Sequence, residues 1–171
     1  MVGGGAEIER NTQQNHLRIE RLDSLFNGKD KSLINVLDFG AGHGYLVKDL
    51  NAAGYGAIGY DPYNPEFDRL PQKDYFQAVT CVECLEHWSF PYAEIEVIHR
   101  SLRKHGIVYF ESSYVDVAEQ EEIPLEDFEY ISPQVGHSSI FSFHAIDLLM
   151  VGRGFRVGRH FNRHTKLYYK S

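Results

Sequence analysis

Apolar runs separated by glycine, proline and charged residues divide the chain into strand-like and helix-like segments. Continuous or alternating apolar runs predict strands at 33–39, 55–60, 76–82, 107–110, 155–161 and 165–170. Apolar residues that recur every three to four positions predict helices instead. The first predicted helix covers residues 6–27. The second begins near Leu46 and ends at Gly54, and the third begins near Pro91 and ends at Gly106. The fourth is capped by Ser142 and extends to about Val151. Residues 112–141 are expected to form a long connection, with or without one short helix.

The order of these segments predicts the fold class. Strands and helices alternate along most of the chain, and the last two strands are joined by the turn Asn162-Arg-His-Thr165. Such alternation predicts an α/β fold, a three-layer sandwich with a mostly parallel sheet, and the terminal hairpin adds one antiparallel strand. We expect this domain to occupy residues 32–171, preceded by an N-terminal helix within residues 1–31.

Composition agrees with one globular domain. Of the 171 residues, 43% are hydrophobic and 24% are charged, and no apolar run approaches the ~18–20 residues of a membrane span. The first residues, Met-Val-Gly-Gly-Gly, lack the charged and apolar parts of a signal peptide, so we expect a cytoplasmic protein without membrane partners. Two cysteines, Cys81 and Cys84, are too few for a disulfide-rich secreted fold.

Charge is unevenly distributed along the chain. Residues 153–171 hold six basic residues and no acidic one, whereas residues 1–152 hold 11 basic and 24 acidic residues, a net charge of −13. Because an acidic body repels a phosphate backbone, a nucleic-acid partner is disfavoured. We interpret the basic residues as the solvent face of the last two strands.

The most informative motif follows the first predicted strand. It reads Asp38-Phe-Gly-Ala-Gly-His-Gly44 and leads directly into a predicted helix. Glycines let a ligand approach the backbone closely, and the start of a helix offers free N–H groups. In open α/β sheets, nucleotide-like ligands lie at this end of the strands.

The acidic residues around this loop indicate the kind of ligand. A dinucleotide fingerprint needs its third glycine one residue later, and Asp38 would repel a pyrophosphate. Asp38 instead suits an ammonium group, and Asp61, at the end of the second strand, suits the hydroxyls of a ribose. The two carboxylates together predict an adenosyl amino acid. A nicotinamide cofactor remains the less favoured alternative.

Five segments resemble the class I S-adenosylmethionine-dependent methyltransferases. They are residues 36–46, 58–62, 76–87, 102–110 and 133–142, with Gly154-Phe155 downstream. The resemblance covers about residues 32–161 and is strongest to the type 11 and type 23 subgroups, close to the ubiquinone-biosynthesis O-methyltransferases. It implies a Rossmann-like sheet that binds S-adenosylmethionine. The implied cofactor contacts are Asp38, Gly40, Ala41, Gly42, Gly44, Tyr45, Asp61, Pro62, Cys81, Val82 and Glu83.

One departure from the family pattern is expected. The family places a helix and a third strand between the second strand and the strand at 76–82, but only 14 residues, 62–75, are present here. A helix and a strand with their loops hardly fit this length, so we expect the third strand to be reduced or missing. Adenine would then rest on Pro62, Tyr63 and the backbone near Cys81 and Val82.

Candidate catalytic residues follow the strand at 76–82. Glu83, Glu86 and His87 form a Glu-x-x-Glu-His pattern, and the resemblance implies that such residues, joined by His137, can hold Mg²⁺ near the acceptor. The alternative is that Glu86 and His87 order the loop or position the acceptor. His137 is also a candidate base, because histidine titrates near neutral pH. Residues 1–31 are expected either to cover the cofactor as a lid or to pack on the sheet.

The predicted function is methylation of a small molecule, most simply at oxygen. The candidates for the lining of the acceptor cavity are aromatic, namely Trp88, Tyr114, Phe128, Tyr130 and Phe141, with packing in the core or in a loop as the alternative for each of them. Cys81 and Cys84 are expected to point in different directions, one into the core and one into the cavity wall. Two alternatives stay open: a catalytically silent scaffold of the same fold, and a nicotinamide-dependent oxidoreductase. The acceptor and the oligomeric state are not predicted.

Overall fold

The computed structural model describes residues 4–171 and, from Thr12 onward, their side chains. The strands are β1 Asn35–Phe39, β2 Gly56–Tyr60, β3 Phe76–Val82, β4 Leu102–Glu111, β5 Phe155–Asn162 and β6 Thr165–Lys170. The helices are α1 Gly4–Leu25, α2 Tyr45–Ala52, α3 Pro91–Ser101, α4 Val115–Gln120 and α5 Phe143–Val151. No helix in this described part is long and apolar enough to cross a membrane.

The six strands form one sheet in the order β2-β1-β3-β4-β6-β5. Strands β2, β1, β3 and β4 are parallel, and β6 is antiparallel to both of its neighbours. The predicted α/β fold with one antiparallel strand in a terminal hairpin is therefore confirmed. Within the described residues, no strand lies between β2 and β3 in the sequence, so the prediction of a missing third strand is also confirmed.

The missing strand leaves β2 at the edge of the sheet, and side chains cover that edge. Asn51 of α2 accepts a hydrogen bond from the Ala57 N–H at 2.9 Å and donates one to the Ala57 carbonyl at 2.9 Å. This amide replaces the backbone pairing of a neighbouring strand at that residue. The Phe67 ring lies against Gly59, where an added Cβ would come within 2.8 Å of Phe67 Cδ1. The segment 61–75 thus folds over the end of β2 and fixes Asp61 beside the glycine loop.

Two apolar layers enclose the sheet. On one face, Ile19 and Leu22 of α1 pack in a cluster with Val36 and Tyr109. On the other face, α3 and α5 contribute Ile95, Ile98, Ile146 and Met150 to a second cluster. This is the three-layer arrangement that the sequence predicts, and α1 belongs to one of its layers.

The predicted end of α3 at Gly106 is wrong. The helix ends at Ser101, and β4 begins at Leu102, so Gly106 lies inside a strand. Tertiary contacts end the helix, because Lys170 Nζ donates hydrogen bonds to the carbonyls of His99 and Leu102 at 2.8 and 2.6 Å. A lysine from the last strand therefore satisfies carbonyls that a following helical turn would otherwise use.

Candidate functional site

The glycine loop between β1 and α2 has the backbone that its sequence predicts. Gly40, Gly42 and Gly44 have positive φ angles of 82°, 54° and 73°. At Gly40, an added Cβ would lie 2.9 Å from Cys84 Cβ, so the position has no room for a side chain. The Gly40 N–H donates to the Tyr60 carbonyl at 2.8 Å, which holds the loop against the end of β2.

Asp61 connects the glycine loop to the segment that follows β2. One carboxylate oxygen accepts from the Gly42 N–H at 2.9 Å and the other from the Tyr63 N–H at 2.9 Å. Each oxygen keeps further lone pairs for a ligand. Asp61, Pro62 and Tyr63 line one cavity of about 660 Å³, which we call the glycine-loop cavity.

Two further cavities continue across the carboxyl ends of the strands. The central cavity, of about 210 Å³, is lined by Gln14, Asn15, Arg18, Asp38, Gly40, Ala41, Tyr45, Leu46, Val82 and Glu83. The α1 cavity, of about 520 Å³, is lined by Gln14, Leu17, Arg18, Arg21, Glu83, Glu111, Ser113, Asn162 and His164. Glu83 lines all three cavities, so they meet at its side chain.

The central cavity contains a carboxylate and a guanidinium. Asp38 is buried and accepts a hydrogen bond from Thr80 Oγ1 at 2.8 Å. Burial raises the pKa of Asp38 to about 6, against the opposing effects of the Thr80 hydrogen bond and the Arg18 charge. Arg18 of α1 is held by hydrogen bonds to Glu111 Oε1 at 2.9 and 2.6 Å. A pair of opposite charges in one small cavity fits the ammonium and carboxylate groups of an amino acid.

Arg18 is a site residue that the sequence interpretation missed. It lies on the same helical face as Asn15, Ile19 and Leu22, all of which are buried. An arginine within the apolar face of an amphipathic helix is unusual, because buried arginines are almost always paired. That position was the available signal, but nothing in the sequence shows which cavity the arginine reaches.

Glu83 follows β3 and has a left-handed backbone, with φ of 47°. Its N–H donates to the Glu111 carbonyl at 2.8 Å, and its Oε2 accepts from the Tyr130 hydroxyl at 3.1 Å. Burial, with the nearby charge of Glu86, raises the pKa of Glu83 to about 7. The turn at Glu83 thus places a carboxylate that can accept a proton at the junction of the cavities.

Glu86, His87 and His137 come together, as the sequence predicts. Their possible ligand atoms lie within 4.8 Å of one another. Carbonyl oxygens contact His87 Nδ1 at 3.1 Å and His137 Nδ1 at 2.6 Å, which leaves the Nε2 atom of each ring free of those bonds. Glu83 is not part of this cluster. Of the three clustered residues, only His87 lines a cavity, the glycine-loop cavity.

Cys81 lies in the core and Cys84 in a cavity wall, where the sequence interpretation placed them. Cys84 lines the glycine-loop cavity and accepts a hydrogen bond from Trp88 Nε1 at 3.3 Å. Cys81 is fully buried and lines none of the three cavities, and burial raises the pKa of its thiol.

None of the aromatic residues named as candidates for an acceptor cavity lines the α1 cavity. Trp88 lines the glycine-loop cavity, Tyr114 and Phe128 are buried, and the Tyr130 hydroxyl donates to Glu83 Oε2 at 3.1 Å. The α1 cavity is polar because α1, β4 and the β5–β6 turn direct charged and amide side chains into it. Packing in the core, the alternative for these positions, describes Tyr114 and Phe128, which bury large apolar areas.

The chain is similar to known methyltransferases in sequence and in fold. A profile of the methyltransferase domain family matches residues 10–160, whereas no curated protein matches. One similar structure is the complex between the Haloferax volcanii Trm112 methyltransferase activator and a methyltransferase, with a TM-score of 0.63, 17% identity, and coverage of 91% of this chain and 75% of that chain. Magnesium protoporphyrin IX methyltransferase from Synechocystis PCC 6803 with bound SAH gives a TM-score of 0.62, 16% identity, and coverage of 94% and 83%. A SAM-dependent methyltransferase from Archaeoglobus fulgidus gives a TM-score of 0.62, 18% identity, and coverage of 88% and 72%.

Proposed function

This chain belongs to the methyltransferase domain family, and we propose that it transfers a methyl group from S-adenosylmethionine to an oxygen atom of a small molecule. The presence of Asp38 and Arg18 in the same small cavity carries this proposal. Asp38 would bind the ammonium group of the cofactor and Arg18 its carboxylate. Asp61 in the glycine-loop cavity would bind the ribose hydroxyls, beside Pro62 and Tyr63.

This arrangement directs the methyl group toward the α1 cavity. The adenosine would lie in the glycine-loop cavity and the amino-acid end in the central cavity, so the sulfonium would lie near Glu83, where the cavities meet. An acceptor in the α1 cavity could then approach the methyl carbon from the side opposite to sulfur. Holding the two reactants in this geometry can lower the barrier by ~7–11 kcal/mol.

Glu83 would complete the reaction as a proton acceptor. In the proposed reaction the acceptor oxygen would bond to the methyl carbon as the carbon–sulfur bond breaks, and the electron pair of that bond would stay on sulfur as a neutral sulfide. The hydroxyl proton passes to the Glu83 carboxylate, whose other contact is the Tyr130 hydroxyl at 3.1 Å. A base in this place supports oxygen as the methylated atom, because a hydroxyl must lose its proton during transfer.

Calorimetry and a transfer assay test this function. We expect S-adenosylmethionine and S-adenosylhomocysteine to bind, and NAD not to bind, because a pyrophosphate would meet Asp38. Labelled S-adenosylmethionine should then methylate at least one member of a panel of phenols, sugars and amines. Binding of NAD in place of S-adenosylmethionine would support the oxidoreductase. Cofactor binding without transfer to any acceptor would support the silent scaffold.

The cluster of Glu86, His87 and His137 supports a second proposal, a divalent metal. Two imidazoles and one carboxylate suit Mn²⁺, Fe²⁺ or Zn²⁺ better than Mg²⁺, which prefers oxygen ligands. Because His87 lines the glycine-loop cavity and none of the three residues lines the α1 cavity, an ion there would lie on the cofactor side of the site and not at the proposed acceptor. Glu83, the other residue that the resemblance implies, would remain outside this ligand set, since its carboxylate contacts Tyr130.

Metal binding can be tested by measuring the melting temperature with and without the metal ion. We expect Mn²⁺ or Zn²⁺ to raise the melting temperature of the wild-type chain, because an ion that binds only the folded state stabilises it. The His137→Ala variant should lose this increase. Unchanged melting with metal, together with unchanged methyl transfer in EDTA, would assign the three side chains to ordering the loop instead.

A further inference from the structure

We propose that the methyl acceptor is a small hydroxylated molecule that carries a carboxylate or phosphate group, and that the α1 cavity binds this anion beside Arg21 and Asn162. The inference rests on the proposed function, because it places the acceptor next to the cofactor. It adds a substrate class to that function.

The acidic residue of the α1 cavity is already neutralised by its neighbours. Glu111 accepts hydrogen bonds from Arg18, from Arg21 Nη1 at 3.0 Å, and from the Tyr109 hydroxyl at 2.6 Å. Two guanidinium groups therefore face one carboxylate in this corner. Because Arg18 is assigned to the cofactor carboxylate, Arg21 is the cation left for the acceptor, and its side chain is only 24% exposed, so its charge is screened less than on an open surface.

Hydrogen-bond donors remain free in the same cavity. Arg21 uses Nη1 for its bonds to Tyr109, Glu111 and Thr165, while its Nε and Nη2 have no hydrogen-bond acceptor among the described residues. The side-chain oxygen Oδ1 of Asn162 accepts from the His164 N–H at 2.9 Å, and none of the described residues accepts a hydrogen bond from the side-chain NH₂ of Asn162, so both of its hydrogens can serve a ligand.

The free donors of Arg21 and Asn162 have no carboxylate of their own in this cavity. Glu111 already accepts from Arg18, Arg21 and Tyr109, and Glu83 also lines the central cavity, where it adjoins the cofactor site. A ligand that supplies several acceptor atoms, such as a carboxylate or a phosphate, would satisfy the free donors. With its anion at the β5–β6 turn, such a ligand would direct its hydroxyl toward Glu83 and the methyl group.

Two basic residues of β5 support the same ligand charge. Arg156 and Arg159 are exposed, and the Arg159 guanidinium lies 4.8 Å from the centre of the Phe161 ring, over which the Arg21 guanidinium also lies, at 5.8 Å. Arg163 of the turn pairs with Glu121, so its charge is already neutralised. A positive rim next to a cavity attracts anionic ligands into it. The remainder of the chain is acidic, so this attraction is local.

Matched probes test the proposal by binding. Calorimetry on the protein saturated with S-adenosylhomocysteine would compare 4-hydroxybenzoate, 4-hydroxyphenyl phosphate and the neutral 4-hydroxybenzyl alcohol. We expect at least one anionic probe to bind tenfold or more tightly than the alcohol, and the two anions separate a carboxylate site from a phosphate site. Equal or tighter binding of the alcohol would overturn the proposal.

The Asn162→Asp variant provides the second measurement. A carboxylate oxygen can still accept the His164 N–H, so the turn is preserved, but the free donors are replaced by a negative charge. We expect a tenfold or greater loss of affinity for the anion that binds best, and less than a twofold change for the alcohol. Equal losses for the anion and the alcohol, or no loss for either, would contradict the assignment.

Two controls separate an effect on the α1 cavity from effects on folding and on cofactor binding. Arg163→Gln removes one positive charge from the same turn without touching the cavity lining, and we expect less than a twofold effect. Unchanged affinity of Asn162→Asp for S-adenosylhomocysteine shows that the variant is folded. If the wild-type chain fails to bind S-adenosylhomocysteine, the proposed function is wrong, and the anion comparison is then made on the cofactor-free protein.

Discussion

Replacing Asp38 with asparagine is expected to lower the affinity for S-adenosylmethionine by about a hundredfold, since a buried hydrogen bond between charged groups contributes ~1.5–3 kcal/mol. The variant should still fold. The amide oxygen can accept the Thr80 Oγ1 hydrogen bond, which is 2.8 Å long in the wild-type chain. The loss of affinity would therefore report on the charge of Asp38 and not on its shape.

The same substitution is expected to maintain or raise thermal stability at neutral pH. Burial raises the pKa of Asp38 from 3.8 to about 6, so the folded state binds a proton more tightly than the unfolded state does. Stability therefore falls as pH rises from 3.8 through about 6, and the buried carboxylate is unfavourable at pH 7 without a cationic ligand. Asparagine removes this penalty while it removes the binding group.

Cofactor affinity should also depend on pH through Asp38. Only the ionised carboxylate pairs with the ammonium group, so wild-type affinity should fall as pH decreases below about 6, the free-protein pKa. The slope should approach tenfold per pH unit. Calorimetry between pH 5 and 8 checks this, with exposed Asp127→Asn as the control. An Asp38→Asn variant that keeps wild-type affinity, or the same pH slope, would contradict the role of Asp38.

Glu83→Gln is expected to lower the rate of methyl transfer by a hundredfold or more, because a positioned general base contributes about 10²–10⁴-fold. Glutamine has nearly the same shape as glutamate, and its amide oxygen can accept the Tyr130 hydroxyl that lies 3.1 Å from Glu83 Oε2. Affinity for S-adenosylhomocysteine should change less than threefold, since the proposed cofactor charges bind to Asp38 and Arg18.

Steady-state kinetics with a methylated acceptor distinguish a catalytic role from a structural one. A catalytic Glu83 predicts a loss in kcat with little change in KM or melting temperature. Glu83→Asp keeps a carboxylate, but the shorter side chain holds it farther from the reacting hydroxyl. We therefore expect the rate of Glu83→Asp to lie between those of Glu83→Gln and the wild-type chain. Glu119→Gln, on α4, is the matched control. A Glu83→Gln enzyme with wild-type kcat would exclude Glu83 as the base.

Several features of this protein depend on local sequence alone. The glycine loop could be predicted because positive φ angles at Gly40, Gly42 and Gly44 follow from the residue type. The start of α5 was predictable for a similar reason, since the Ser142 hydroxyl oxygen accepts from the Ala145 N–H at 3.1 Å. The missing strand followed from chain length, because the 14 residues from 62 to 75 cannot hold another helix and strand.

The contents of the cavities depend on packing between distant parts of the chain. Arg18 reaches the cavity of Asp38 only because α1 packs on the sheet and Glu111 of β4 holds the guanidinium. The end of α3 depends on Lys170 from the last strand, and the position of Cys84 against Gly40 depends on the left-handed turn at Glu83.

The sequence by itself therefore determined the strand and helix order, the glycine loop and the two carboxylates that flank it. These features follow from backbone preferences and from the spacing of apolar residues, both of which act over a few neighbouring positions. The tertiary structure alone decided that the α1 cavity beside Glu83 is lined mainly by polar side chains and by none of the aromatic residues that the sequence offered. Which side chains converge there is set by how separate helices and strands pack, and local spacing does not contain that information.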